Sequence, residues 1–156
     1  MDQSKLIESL KQARFLFDNI RLYGEKEVTQ VIRIFTASLQ GWTAKDFHSH
    51  CDNKGPTLCL LRSSENYLAA GFTSKNWTSK KSPVIIKDSS AMVFALSNAL
   101  QVFKSNNPKQ ALCHYEGNGP IFGRALAIWT TPMNKINGGE SSTQGLFGDE
   151  FGVVED

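Results

Sequence analysis

The sequence predicts a mainly antiparallel β domain with a few helices. Most of its apolar residues lie in short runs that are separated by Gly, Pro, Asn and Asp, the residues that favour turns. Few segments show the helical period. The chain has 156 residues, of which 40% are hydrophobic and 21% are charged, which is typical of one globular domain rather than a disordered chain.

Charge and cysteine content narrow the class of protein. Seventeen Lys and Arg against fifteen Asp and Glu give a net charge of +2, which does not favour nucleic acid as the main partner. The sequence has no run of about 18 apolar residues, so no membrane-spanning helix is predicted. Its first residues do not resemble a secretory signal, and its three cysteines lack paired spacing. We therefore expect a cytoplasmic protein with reduced thiols.

The N-terminal residues 1–24 predict an amphipathic helix. Apolar residues recur at spacings of four, three, four and three: Leu6, Leu10, Ala13, Phe17 and Ile20. Asp2 is expected to cap this helix, and Gly24 to end it in a left-handed conformation. Leu16 lies off the stripe. Packing on its own domain is the favoured interpretation, because most amphipathic helices do so, and a partner-binding arm is the alternative.

A strand and a second helix are predicted next. Val31 to Leu39 is rich in β-branched residues and predicts a strand. Thr43-Ala44-Lys45-Asp46 resembles a capping box, in which the side chains of the first and last residues bond each other's backbone amides. This motif predicts a short helix from Ala44 to Cys51, with Phe47 and Cys51 on one face.

The rest of the chain predicts short strands joined by turns. The expected strands include a hairpin, a pair around a Gly-Pro turn and a final strand: Thr57–Arg62 with Tyr67–Thr73, Ala111–Tyr115 with Ala125–Thr130, and Phe151–Val154. The expected loops are Ser74–Ser82, which contains Trp77, and Pro132–Gln144. Ala91–Leu96 fits either a strand or a buried helix by its pattern alone.

The segment Asp52 to Thr57 predicts a rigid, partly buried turn between the short helix and the first strand. Asp52 and Asn53 are expected to accept hydrogen bonds from backbone amides. Gly55 is expected to take a positive φ, and the proline that follows prevents the helix from continuing. Lys54 is expected to point outward.

The run His48-Ser49-His50-Cys51 raises the question of a zinc site. On a helix, His48 and His50 project about 200° apart and cannot share one ion. His48 and Cys51 can, but two further ligands would have to come from residues without supporting pair spacing. A helix end with a buried cysteine is therefore the favoured interpretation, and no metal or cofactor is predicted.

No arrangement of residues in the sequence indicates catalysis. Cys51 lies at the C-terminal end of its predicted helix, where the dipole opposes a thiolate. Cys59 and Cys113 lie in apolar strand runs, which is typical of core residues. The sequence also lacks a nucleophile-elbow motif and a phosphate-binding lysine loop. The protein is therefore predicted not to be an enzyme.

Five blocks of the sequence resemble the TLDc domain, the domain of oxidation-resistance proteins and their relatives. In order, they are Gly41-Trp42-Thr43-Ala44-Lys45-Asp46-Phe47-His48; Cys51-Asp52-Asn53-Lys54-Gly55-Pro56-Thr57; Gly71-Phe72-Thr73-Ser74 with Trp77; Ala91 to Leu96; and Gly119-Pro120-Ile121-Phe122-Gly123. The second block, with Phe47 and His48 before it, is similar to the form common in the protist and TLDc-only branches. The resemblance covers residues 29–156 and includes the N-terminal helix only loosely.

The resemblance implies an α+β, mainly β fold: a two-sheet antiparallel β-sandwich with a few short helices, in which Ala91–Leu96 is a strand. It also implies a protein partner in a large assembly, the vacuolar-type proton-pumping ATPase, and a role in resistance to oxidative stress. No catalytic residue is agreed for the family.

The family blocks are interpreted mainly as fold determinants, because turn and core residues specify a β fold directly. The candidate partner contacts are His48, Lys54 and Glu140. The chain departs from the family pattern at Ala69-Ala70-Gly71, at Arg124 and at its C-terminal strand, which is expected to be incomplete. Two alternatives remain open: a structural component docked through helix 1–24, and a redox-active protein acting through Cys51.

Overall fold

The computed structural model describes residues 6–63, 65–123 and 125–128, together with the backbone of residues 140–141 and 151–153. The helices in this part of the chain are α1 (Leu10–Tyr23), α2 (Ala37–Gln40), α3 (Ala44–Cys51) and a 3-10 helix at Pro108–Gln110. The strands are β1 (Thr57–Arg62), β2 (Leu68–Thr73), β3 (Val84–Ile86), β4 (Met92–Ala95), β5 (Gln101–Ser105), β6 (Leu112–His114), β7 (Ile121–Phe122), β8 (Leu126–Ala127), β9 (Glu140–Ser141) and β10 (Phe151–Val153). The predicted α+β, mainly β fold is confirmed.

The strands form two antiparallel sheets of five strands each. Sheet 1 has the order β1-β2-β4-β5-β10, and sheet 2 has the order β3-β6-β7-β8-β9. The predicted hairpin is the β1–β2 pair, and the strand that the family resemblance implied at Ala91–Leu96 is β4. The chain leaves sheet 1 after β2, forms β3 in sheet 2 and returns to sheet 1 as β4.

The core lies between the two sheets. Side chains from sheet 1, sheet 2 and α3 form one buried cluster, whose largest members are Phe47, Trp77, Val93, Phe103, Leu112, Phe122 and Leu126. Side chains alternate along β4, so that Val93 joins this cluster while Met92 and Phe94 join a second one on the opposite face. Sheet 1 is therefore covered on both faces, which explains why its central strands β2 and β4 carry apolar residues on both faces.

Helix α1 covers the outer face of sheet 1. Leu16 and Ile20 are almost completely buried and pack in the second cluster with Phe72, Met92 and Phe94. The interpretation of the N-terminal helix as packed on its own domain is therefore confirmed. The buried face is rotated from the predicted stripe, because Leu16 is 1% exposed whereas Leu10 is 66% exposed.

The ends of α1 also differ from the prediction. The helix begins at Leu10, where the Ser9 hydroxyl accepts from the Gln12 amide and the Gln12 side chain accepts from the Ser9 amide. Leu6 precedes the helix, and Asp2 lies outside the described residues. Gly24 is not left-handed, since its φ is −85°. A side chain there would meet Ile20 O at 2.6 Å, so glycine is required by close packing.

The strand predicted at Val31–Leu39 is wrong. Residues 25–36 have no regular structure, and Ala37–Gln40 form α2 instead. Ile32 is 67% exposed and Leu39 is 76% exposed, whereas Ile34 and Phe35 pack against the core. The segment is held by this contact rather than by a strand partner, which β-branched composition alone does not reveal.

Several other boundaries are corrected. The polar loop predicted at Pro132–Gln144 contains β9, which pairs with β8, and the remainder of that range lies outside the described residues. The strand predicted at Ala125–Thr130 is confirmed only for β8, since residues 129 and 130 are not described. The final strand is confirmed as β10, which pairs with β5 at the edge of sheet 1.

The two sheets approach each other closely at Gly71 in β2. A Cβ atom at this position would lie 2.6 Å from Cδ2 of Phe122, whose ring is completely buried in the opposite sheet. Any side chain at residue 71 must therefore displace the Phe122 ring. The prediction that Gly71 allows a close approach is confirmed, and its partner belongs to a different family block.

We expect Gly71→Ala to lower the free energy of unfolding by about 1–3 kcal/mol, the usual effect of overpacking a core. Phe122→Leu leaves more room at the same point, so Gly71→Ala should cost less in that background. Denaturant unfolding of the four proteins in this double-mutant cycle measures the coupling. Strictly additive losses would show that Gly71 and Phe122 are energetically independent.

Candidate functional site

The loop between β2 and β3 places Trp77 at the centre of the core. Its indole is 1% exposed and contacts the rings of Phe47, His114 and Phe122, with centroids 5.7, 5.1 and 5.6 Å away. The indole Nε1 donates to Thr57 Oγ1 at 2.9 Å, which satisfies the polar atom that burial would otherwise leave unpaired. Trp77 therefore contacts four separate segments of the chain: α3, β1, β6 and β7.

The ring of His48, near the end of α3, is bonded on both sides. Nδ1 lies 2.7 Å from Asp52 Oδ1, and Nε2 lies 3.0 Å from the carbonyl oxygens of both Tyr115 and Asn118. All of these partners are hydrogen-bond acceptors. His48 is 6% exposed, and its ring links α3 to the loop that follows β6. Its role as a partner contact stays a prediction.

Asp52 connects three segments through its carboxylate. Besides His48, it accepts from the Ser79 hydroxyl at 2.6 Å. The Ser79 hydroxyl therefore bonds the acid and not the imidazole, so the serine, histidine and aspartate do not have the order of a nucleophilic triad. The prediction that Asp52 accepts from backbone amides is corrected, because its partners are side chains of α3 and of the β2–β3 loop.

The turn after α3 has the predicted backbone conformation. Asn53 has a φ of 58° and Gly55 has a φ of 80°. The amides of this turn are satisfied by the β2–β3 loop: Asn53 N donates to Trp77 O at 3.1 Å, and Gly55 N donates to Asn76 Oδ1 at 2.7 Å. Lys54 is exposed between them, as expected.

A second buried polar group lies beside the end of β2. Asp88 is 2% exposed, and its carboxylate accepts from the hydroxyls of Thr73 at 2.5 Å and Ser90 at 2.6 Å. Ser74 adds a backbone amide and a hydroxyl at longer range. These donors compensate the carboxylate for lost hydration and fix the entry to the β2–β3 loop.

His114, in β6, is held in an uncharged form by its surroundings. It is 3% exposed, its Nδ1 lies 2.9 Å from the Thr78 hydroxyl, and Nε2 has no hydrogen-bond partner among the described residues. Burial, opposed by the charge of Asp52 and reinforced by His48 and Lys80, lowers the pKa of His114 to about 4.

The three thiols lie in surroundings that keep them protonated. Burial, reinforced by Asp52, raises the pKa of Cys51 to about 12. Burial also raises the pKa of Cys59 and of Cys113. A thiol at such a pKa is a poor nucleophile and a poor metal ligand. The described residues contain no group of three or more His, Cys, Asp or Glu side chains that could hold a metal ion.

An open cleft of about 520 Å³ lies where α3, the β2–β3 loop and the loop after β6 meet. It is lined by Lys45, His48, Ser49, Ser79, Tyr115, Glu116 and Gly117. Its lining combines the charged side chains of Lys45 and Glu116 with hydroxyl and aromatic residues, and more of the exposed lining is apolar than polar.

The structure brings together most of the family residues, although they are far apart in the sequence. Trp77 contacts the ring of Phe122 and bonds Thr57 at the end of the turn. Gly119 and Pro120 precede β7, and their backbones form hydrogen bonds with Ile128. Gly123 takes a φ of 54° at the kink predicted there. Trp42 lies at the surface, 40% exposed. The side chain of Glu140 is outside the described residues, as is Arg124.

Sequence reasoning did not find Asp88, Ser79 or His114 as important polar groups. Ser79 and His114 bond residues that are remote in the sequence, and Asp88 bonds the remote Thr73 as well as the nearby Ser90. The remote partners leave no local pattern. The spacing of polar residues in the β2–β3 loop did not indicate which segment of the chain each of these side chains would bond.

The sequence of the chain matches a family model over most of its length. A family model of the TLDc domain matches residues 1–149. The chain belongs to the TLDc domain family. The matched range of the TLDc domain includes α1, which the sequence motifs covered only loosely. No curated protein matches the chain. None of the helices in the described part of this TLDc chain has the length and apolar character needed to cross a membrane.

We expect Gly55→Val to destabilise the TLDc fold by about 1–2 kcal/mol, because a β-branched residue is strained at positive φ. No heavy atom would lie within 4 Å of a Cβ there, so the loss reports backbone strain alone. Gly55→Asn should cost less, since Asn tolerates this conformation. Lys54→Ala is the control and should unfold at the wild-type denaturant midpoint. Equal midpoints for Gly55→Val and wild type would contradict the turn assignment.

The free energy of unfolding should fall as pH drops from about 6.5 towards 4. His114 has an ordinary pKa of 6.5 and a folded-state pKa of about 4, so in this window the unfolded chain binds a proton that the folded chain does not. One such group contributes a slope of up to about 1.4 kcal/mol per pH unit. His114→Asn removes the titration, and denaturant unfolding across this pH range should give a shallower slope for the variant. Parallel curves would exclude His114 as the source.

Proposed function

We propose that this TLDc chain is a non-enzymatic, cytoplasmic protein-interaction domain that docks onto a large assembly and contributes to resistance to oxidative stress. The vacuolar-type proton-pumping ATPase is the proposed assembly. Family membership supports this function. The hydrogen bonds that engage its histidine, aspartate and serine side chains also support it.

The observation that carries the proposal is that side chains of types common in catalysis form hydrogen bonds that link separate segments of the chain. His48 bonds Asp52 on one side and two backbone carbonyls on the other, and Asp52 is bonded by Ser79. A catalytic base needs a nitrogen or oxygen directed at a substrate. These bonds instead hold α3 and two loops in a fixed relative position, which suits a rigid recognition surface.

Two alternatives have less support. A redox function through Cys51 requires a thiolate, whereas burial raises the pKa of this thiol to about 12. Docking through α1 conflicts with its packing, because Leu16 and Ile20 are already buried against sheet 1. Only its outer face, which carries the exposed Leu10 and Leu22, remains available to a partner.

The test is binding of the full chain to the purified, detergent-solubilised proton pump at physiological ionic strength, combined with survival of peroxide-treated cells that carry each variant. Wild type should bind saturably and protect. Cys51→Ala should keep both properties, and Leu10→Ser with Leu22→Ser should keep binding, because both leucines lie on the outer face of α1.

Each alternative gives a different result. Absence of saturable binding would exclude the pump as partner. A folded Cys51→Ala protein that binds normally but no longer protects would favour the redox alternative. Loss of binding in the leucine variant alone would favour docking through α1.

A further inference from the structure

Four lysines lie on the segments that form the cleft and its neighbouring turn. Lys45 lies in the first turn of α3, Lys54 lies in the turn after α3, and Lys75 and Lys80 lie in the β2–β3 loop. All four are exposed. We refer to Lys45, Lys54, Lys75 and Lys80 as the lysine surface.

Hydrogen bonds hold the three segments of the lysine surface next to one another. Two bonds join the turn to the β2–β3 loop, from Asn53 N to Trp77 O and from Gly55 N to Asn76 Oδ1. The Ser79–Asp52 bond fixes the loop to the end of α3. The backbone segments that carry the lysines are therefore fixed relative to one another. This lowers the conformational entropy that is lost when a partner binds.

The four lysines outnumber the acidic groups on the same three segments, which are Asp46 and Asp52, although these carboxylates keep their charge when they accept hydrogen bonds. Asp46 accepts from the amide and hydroxyl of Thr43 at the start of α3, and Asp52 is bonded by His48 and Ser79. Glu116 pairs with Lys81 at 2.8 Å. None of the four lysines forms an ion pair with another described residue.

We propose that the lysine surface binds an acidic segment of a protein partner, with Asp and Glu side chains of that segment opposite the lysines and its chain crossing the cleft. This inference rests on the proposed interaction function and names the chemistry of the partner. Charge complementarity of this kind sets orientation and speeds association.

The shape and composition of the cleft favour a peptide over a nucleic acid. At about 520 Å³ the cleft has room for a few side chains. Binding to single-stranded nucleic acid usually adds several stacking aromatic rings, whereas Tyr115 is the aromatic residue in this lining. The cleft is also concave, which suits a chain better than the flat surface of a membrane.

The test compares two charge-matched variants of the full chain. The first replaces Lys45, Lys54, Lys75 and Lys80 with Gln. The control replaces four other exposed lysines with Gln, on or beside α1 and at the far end of β3: Lys11, Lys26, Lys87 and Lys109. Both variants lose the same charge, so a difference between them reports position. Denaturant unfolding checks that both are folded.

The probes are a fluorescent poly-glutamate peptide, a poly-glutamine peptide of equal length, a single-stranded oligonucleotide and phosphatidylserine vesicles. Wild type should bind poly-glutamate more tightly than the other three probes. The lysine-surface variant should bind it about tenfold more weakly, since each of four exposed pairs contributes roughly a factor of two. The control should stay within about twofold of wild type, and the difference should shrink as salt screens the charges.

Equal weakening in both variants would overturn the proposal, because it would show a response to net charge alone. Tighter binding of the oligonucleotide or the vesicles through the same lysines would overturn it in favour of that partner. The result is separable from the proposed function. A chain that fails to bind the pump but binds poly-glutamate through the lysine surface retains this inference, whereas a chain that binds the pump equally well in both variants contradicts it.

Discussion

Burial of one indole ring from an irregular loop organises the whole domain. Along the chain, Trp77 follows β2 of sheet 1 and precedes β3 of sheet 2. In space, its ring lies where α3 and sheet 2 meet, in contact with Phe47 and Phe122. A buried tryptophan removes a large apolar area from water and contributes correspondingly to stability. Because the loop that carries Trp77 also supplies Ser79 and Asn76 to the end of α3 and the turn, fixing the ring fixes these contacts.

The close approach of the sheets depends on the same region. Phe122 contacts both Trp77 and the backbone at Gly71, so the ring is confined on two sides. The family blocks that looked like separate turns and strands in the sequence are therefore one packing unit. This explains why glycine and aromatic residues recur in blocks that are far apart in the sequence.

Local features of the fold could be predicted from the sequence, and long-range ones could not. The capping box at Thr43 and the hairpin that starts at Thr57 depend on neighbouring residues, and both are confirmed.

The segment Val31–Leu39 was expected to be a strand because its composition is β-like, but strand formation needs a partner that composition does not specify. The buried face of α1 was misplaced for a similar reason: several registers of the helix offer an apolar stripe, and sheet 1 selects Leu16. His48 was interpreted mainly as a fold determinant, but two of its three acceptors are backbone carbonyls, which carry no signature in the sequence.

The route of the chain through the two sheets has a consequence for the order of folding. The β1–β2 and β4–β5 pairs of sheet 1 each join strands that are close in sequence, whereas the contact between Gly71 and Phe122 closes a long loop. Short loops close at lower entropic cost, so we expect the hairpins of sheet 1 to form early and the docking of sheet 2 to complete the transition. Substitutions where the sheets meet would then mainly accelerate unfolding and leave the refolding rate nearly unchanged, as chevron kinetics would show. The lifetime of the native state would accordingly be set by how firmly sheet 2 stays docked.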